Sequence, residues 1–120
     1  MAYRQRIGHR GEVIAEAFLH VKGLETVCRN FRTPYGEIDL IMKHKDQLVF
    51  VEVKSRTNLE FGLPEDSITA KKKGRMVRSA AYYIQKHSEQ NCFWRIDVIA
   101  VYGLAGDPSP EIEWFENAIA

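Results

Sequence analysis

Apolar positions along the chain fall into two helical stretches and five extended ones. From about Gln5 to Val21, Ile14, Ala17, Phe18 and Val21 recur at i, i+3, i+4 and i+7, which predicts a helix with one apolar stripe. Gly23 follows as its C-terminal stop. Glu25 to Phe31 reads as a short strand. Ile38 to His44 and Leu48 to Arg56 read as two better ones, and the short polar Lys45-Asp46-Gln47 between them predicts an antiparallel hairpin. In the second of this pair Val49, Val51 and Val53 point one way, and Leu48, Phe50, Glu52 and Lys54 the other. A strand apolar on both faces belongs in the middle of a sheet.

A second helix is expected after Pro64, with Asp66 or Ser67 as N-cap, running to about Lys86. Ala70, Gly74, Val77, Ala81 and Ile84 are its expected buried stripe. Phe93 to Tyr102 is a Val/Ile-rich strand, and Ile112 to Phe115 a short edge strand. A helix joining two buried strands makes a crossover, so the fourth strand should run parallel to the third. The result is a three-layer α/β fold with a central mixed sheet flanked by helices.

At 120 residues and 45% hydrophobic content, the chain suits one domain over 1–120, with its core at about 8–102 and an acidic segment at 104–120. No apolar run reaches membrane-spanning length and no secretory leader is visible, so a cytoplasmic location is expected. Cys28 and Cys92 have no metal-ligand or redox spacing and read as small buried hydrophobes. His9, His20, His44 and His87 likewise lack any zinc-binding spacing. No nucleophile elbow or glycine-rich phosphate loop is present. Tyr82, Tyr83 and Trp94 read as core or ordinary surface rather than base-stacking residues.

The net charge of +1 conceals a segregation. Residues 104–120 hold four acids and no base, so residues 1–103 carry 17 basic against 12 acidic side chains. Lys71, Lys72, Lys73, Arg75 and Arg78 crowd into eight positions, and Arg4, Arg6 and Arg10 form a second cluster. Together they suggest a patch that faces a polyanion.

Chemistry concentrates at Gly36-Glu-Ile-Asp39 and Glu52-Val-Lys54. A hairpin sets the start of one strand beside the end of its partner, which brings Asp39 to Glu52. Two such carboxylates call for a cation between them, and Mg²⁺ takes one or two carboxylates plus waters. Lys54 lies on the Glu52 face and can stabilise developing negative charge. A Glu-x-Lys triplet occurs by chance roughly 0.7 times in such a composition. The weight therefore rests on its conjunction with Asp39 and with a helical acid, Glu12 or Glu16. Glu37, beside this set, is expected to take a lesser, structural part.

Gly11-Glu12, Arg29-Asn-Phe-Arg32, Gly36-Glu-Ile-Asp-Leu-Ile41, Phe50-Val-Glu-Val-Lys-Ser-Arg56 and Arg95-Ile-Asp-Val-Ile99 resemble the YraN-like family of small bacterial proteins. That family is similar in pattern to the PD-(D/E)xK nucleases and the archaeal Holliday junction resolvases. The resemblance implies a restriction-endonuclease-like fold and Mg²⁺- or Mn²⁺-dependent cleavage of DNA, branched or structured DNA included. It assigns Asp39 and Glu52 as metal-binding acids, Lys54 as the lysine and Glu12 as the helical acid. With the Val53 carbonyl as a further metal ligand, Glu12, Asp39, Glu52 and Lys54 form the expected catalytic set. Arg10, Lys71, Lys72 and Arg75 are the expected phosphate contacts, and junction-cutting relatives imply a homodimer. The alternatives are a non-catalytic nucleic-acid-binding module on the same fold, and a scaffold that engages a protein through Glu113-Trp-Phe115.

Overall fold

The computed structural model describes residues 3–56, 69–87, 93–103 and 109–119. The chain runs α1 (Tyr3–Val21), β1 (Glu25–Thr33), β2 (Gly36–His44), β3 (Gln47–Arg56), α2 (Ala70–Lys86), β4 (Phe93–Tyr102) and β5 (Glu111–Ile119). The strands form one sheet in the order β1-β2-β3-β4-β5. Every neighbouring pair is antiparallel except β3 and β4, which run parallel from Gln47↔Phe93 to Arg56↔Tyr102. The β2–β3 turn closes on His44↔Gln47, so its loop is only Lys45-Asp46, with Lys45 at φ 60.

Each sheet face carries its own core. Leu40, Met42, Val49, Val51, Ile99 and Val101 pack with Ala15 and Leu19 of α1. On the other face Ile38, Ile41, Phe50, Ile96 and Val98 pack with Ala80, Tyr83 and Ile84 of α2. The architecture is therefore helix, mixed sheet, helix. No helix among the described residues is long and apolar enough to cross a membrane.

Both helices are rotated from the stripe that aliphatic bulk predicted. In α1 the buried line is Gly11, Ala15 and Leu19, while Ala17 is exposed and Val21 is 85% exposed. Small residues at i and i+4 let the helix lie close against the sheet, and Ile14 and Phe18 only flank it. The Gly23 stop is as expected: at φ 95 it brings Leu24 N–H to the Leu19 carbonyl and its own N–H to that of His20.

In α2 the buried residues are Ser79, Ala80, Tyr83 and Ile84, with Met76 packed beside them. Of the expected stripe only Ile84 is buried, whereas Ala70, Val77 and Ala81 are exposed. Burying the large Tyr83 ring against Phe31 and Phe50 outweighs burying Val77. The helix is capped by Thr69, whose Oγ1 accepts from Lys72 N–H at 3.2 Å. The candidates Asp66 and Ser67 lie outside the described residues.

Strand β5 also extends past its expected end at Phe115. Asn117, at φ 50, sits at a register shift in the β4–β5 ladder, beyond which Ile119 pairs with Ile96 and is buried.

Candidate functional site

The β2–β3 ladder ends at Leu40↔Val51. One residue further, Asp39 would face Glu52, and there the side chain takes over from the backbone: Val53 N–H donates to Asp39 Oδ2 at 2.8 Å. Beyond this point β3 stays paired with β4 through Arg56. Asp39 is thus fixed where one neighbour of a central strand ends its pairing.

Glu52 and Lys54 follow on a single face of β3, with Lys54 Nζ 3.3 Å from Glu52 Oε1 and both side chains largely buried. Glu52 lines a cavity of about 10 Å³ with Glu37, Ile38, Phe50, Arg75 and Ser79, room for about one water. Burial, and next the charge of Glu52, push the Asp39 carboxyl up to about 8. The Val53 N–H opposes this rise, while Glu12 and Glu37 add to it. Four carboxylates therefore act on one locus.

Glu12 reaches that locus from α1. Asn30 Nδ2 donates to Glu12 Oε1 at 2.7 Å and to Glu37 Oε1 at 2.9 Å, tying helix to strand. Asn30 adopts φ 52, a conformation that suits Asn better than most residues. Glu37 belongs more fully to the site than its expected lesser part: it lines the Glu52 cavity and its charge acts on Asp39. Ile38 and Ile41, three apart, both face α2, so the strand is not regular here.

Glu16 is engaged elsewhere. Arg29 grips it with Nε at 2.9 Å and Nη2 at 2.8 Å, and Thr26 Oγ1 also donates to it. Burial raises its pKa, but the hydrogen bonds from Arg29 and Thr26 and the Arg29 charge outweigh this and hold it below the usual value. Of the two helical acids, Glu12 is the one placed at Asp39.

No three His, Cys, Asp or Glu side chains among the described residues converge into a ready-made metal cage. The donor set that does fit a hard cation is two carboxylates, a backbone carbonyl and water, as Mg²⁺ commonly takes. A carboxyl that burial and neighbouring negative charge keep protonated is a group that a divalent ion would ionise.

Beside the acids lies a basic cleft of about 450 Å³, lined by Tyr35, Thr69, Lys71, Lys72, Arg75 and Arg78. Arg75 lines both the cleft and the carboxylate cavity. Lys71, Lys72 and Arg75 were expected as phosphate contacts. Arg10 is exposed on α1 and does not line this cleft. Arg78 extends the basic lining, and Tyr35 was not singled out by sequence.

The Arg95-Ile-Asp97 motif has a separate place. Asp97 is fully buried and accepts from Arg95 Nε, Trp114 Nε1 at 2.8 Å and Asn117 N–H at 2.8 Å. It locks β5 onto β4. Trp114 also meets Phe18 edge-on at 6.1 Å, so this ring is turned into the fold rather than offered to a partner.

Residues 11–101 match the family described as "Uncharacterised protein family UPF0102". This chain belongs to the UPF0102 family. A UPF0102 protein of Caldicellulosiruptor saccharolyticus is 39% identical over 96% of this chain and 98% of its own length. Another from Desulfosudis oleivorans is 45% identical over 83% and 81%. A third from Dehalococcoides mccartyi is 38% identical over 99% and 98%. The UPF0102 match begins one residue before Glu12 and encloses Asp39, Glu52 and Lys54. Arg10 and the whole of β5 lie outside it.

Proposed function

We propose that this UPF0102 protein is a metal-dependent endonuclease that hydrolyses DNA phosphodiester bonds, with branched and otherwise structured DNA in its substrate class. The observation that carries this reading is a half-buried Asp39, pinned by the Val53 N–H at 2.8 Å under the charges of Glu52, Glu12 and Glu37, an arrangement that calls for a cation. Asp39, Glu52 and the Val53 carbonyl would hold Mg²⁺ or Mn²⁺, whose chemistry is Lewis-acid stabilisation of charge on the phosphate. The Lys54 ammonium, 3.3 Å from Glu52, stabilises the same developing charge. Glu12, anchored by Asn30, shapes the field around Asp39. Lys71, Lys72 and Arg75 hold the flanking phosphates. Water attacks phosphorus and gives up a proton to solvent, the bond to the leaving strand oxygen breaks and that oxygen takes a proton from solvent, and no bond to the protein forms. Such chemistry suits the cytoplasm, where DNA is the substrate at hand.

The test is incubation with single-stranded, duplex and four-way-junction DNA in Mg²⁺ or Mn²⁺. The reading expects cleavage that Asp39→Ala and Glu52→Ala abolish while the fold persists. No cleavage of any substrate with either metal overturns it. The second reading, a non-catalytic DNA-binding module, draws on the basic cleft and on the lack of a three-ligand cage among the described residues. It expects salt-sensitive binding that Asp39→Ala leaves intact or tightens.

A further inference from the structure

We propose that the basic cleft binds an unpaired nucleotide of a DNA strand, with Tyr35 as its stacking platform. Size separates the two cavities. The carboxylate cavity, at about 10 Å³, admits no base, whereas the cleft, at about 450 Å³, falls in the range of small-molecule sites. Lys71, Lys72, Arg75 and Arg78 line it, and no acidic residue is among the described residues of its wall. A cationic groove with an aromatic side chain in its wall is the general means of holding single strands, because every base has a face to stack.

Tyr35 is built to serve in that way. It occupies the two-residue turn between β1 and β2, where Thr33 pairs with Gly36. Its N–H donates to Thr33 Oγ1 at 3.0 Å. That hydroxyl in turn bonds the Gly36 carbonyl at 2.7 Å and Ser79 Oγ of α2 at 3.1 Å, so the turn is tied to the helix across the cleft. Tyr35 nevertheless stays 46% exposed, with the Arg78 guanidinium carbon 5.7 Å from its ring centroid. A fixed, open aromatic ring in a cationic wall is a base platform. In an intact duplex both faces of each base are already stacked, so the ring is useful only where a base is unpaired.

Arg75 joins the cleft to the acids. It passes Gly36 so closely that a Cβ there would lie 3.1 Å from Arg75 Cδ. A nucleotide in the cleft thereby presents its neighbouring phosphate to the carboxylate cavity. This last step rests on the hydrolase reading, whereas the binding does not.

Binding is measured in EDTA by fluorescence anisotropy, with a labelled 12-nucleotide single strand and a duplex of the same sequence. The expected result is tighter binding of the single strand, weakened about tenfold by Tyr35→Ala and preserved by Tyr35→Phe, with duplex binding unchanged. Joint substitution Lys71→Ala and Lys72→Ala should weaken both DNAs and lower the single-strand salt slope by about 1.4. Equal loss for both DNAs on Tyr35→Ala, no loss for either, or a Tyr35→Phe protein as weak as Tyr35→Ala overturns the proposal. A Tyr35-dependent single-strand preference without cleavage in Mg²⁺ would instead remove the nuclease reading and leave the cleft in place.

Discussion

Asp39 accepts the backbone N–H of Val53 at 2.8 Å, although the two residues stand fourteen apart in sequence. That bond fixes one carboxylate at the point where β2 ends its pairing with β3, next to Glu52. Burial there, and next the charge of Glu52, push the Asp39 carboxyl up to about 8, with Glu12 and Glu37 adding to the rise and the Val53 N–H opposing it. Its consequences for stability and metal binding can be given a sign.

In the unfolded chain the Asp39 carboxyl ionises near 3.8, and in the fold at about 8. Between those values the unfolded state binds fewer protons than the native one, so rising pH favours unfolding. The contribution is full below about 3.8 and lost as pH climbs through 8. In metal-free protein this part of Tm should fall between pH 5 and 8, and Asp39→Asn should flatten the slope. Mg²⁺ or Mn²⁺ should raise Tm more at pH 8 than at pH 5, because the ion displaces the proton. Thermal melts over that range, with and without metal, check both.

Glu16 has the opposite sign at lower pH. Arg29 and Thr26 hold its pKa below 4.5, so its contribution is present above that value and lost as pH falls through the depressed one. Glu16→Gln should lower Tm at neutral pH without changing the metal-induced rise, whereas Glu12→Gln should alter that rise. Paired melts with titrated Mn²⁺ distinguish the two helical acids.

Asp97→Ala leaves Arg95, Trp114 Nε1 and Asn117 N–H without their common acceptor in the interior. Breaking such a buried pair should cost about 3–5 kcal/mol in urea unfolding, and Asp97→Asn less. The Trp114 emission should shift to the red in the variant that remains folded.

Gly36 sits at φ 142 with Arg75 against it. Gly36→Ala introduces backbone strain and pushes on Arg75, so stability should drop by about 1 kcal/mol or more. DNA affinity in EDTA should fall in the same variant, as it does in Arg75→Ala.

Much of this was legible in the sequence. The β2–β3 hairpin and the two-faced β3 follow from alternation and a short polar loop, and they set Asp39 beside Glu52. The parallel β3–β4 pair follows from a helix placed between two apolar strands. The helix faces were misjudged because aliphatic bulk was weighed above small-residue packing at Gly11 and Ala15 and above the large ring of Tyr83. Glu37 was legible too, because residues two apart on a strand share a face and it stands two before Asp39. Asn30 left only a weak trace, a polar residue inside a short strand, and nothing local told that its amide would join Glu12 to Glu37. Tyr35 was missed for a related reason: its role comes from α2, which packs against its turn from far along the chain.

The most direct measurement is anomalous diffraction from a crystal soaked in Mn²⁺. The account predicts a manganese peak coordinated by Asp39 and Glu52, lost in crystals of Asp39→Ala. A fully soaked crystal with no density between those two carboxylates would contradict it.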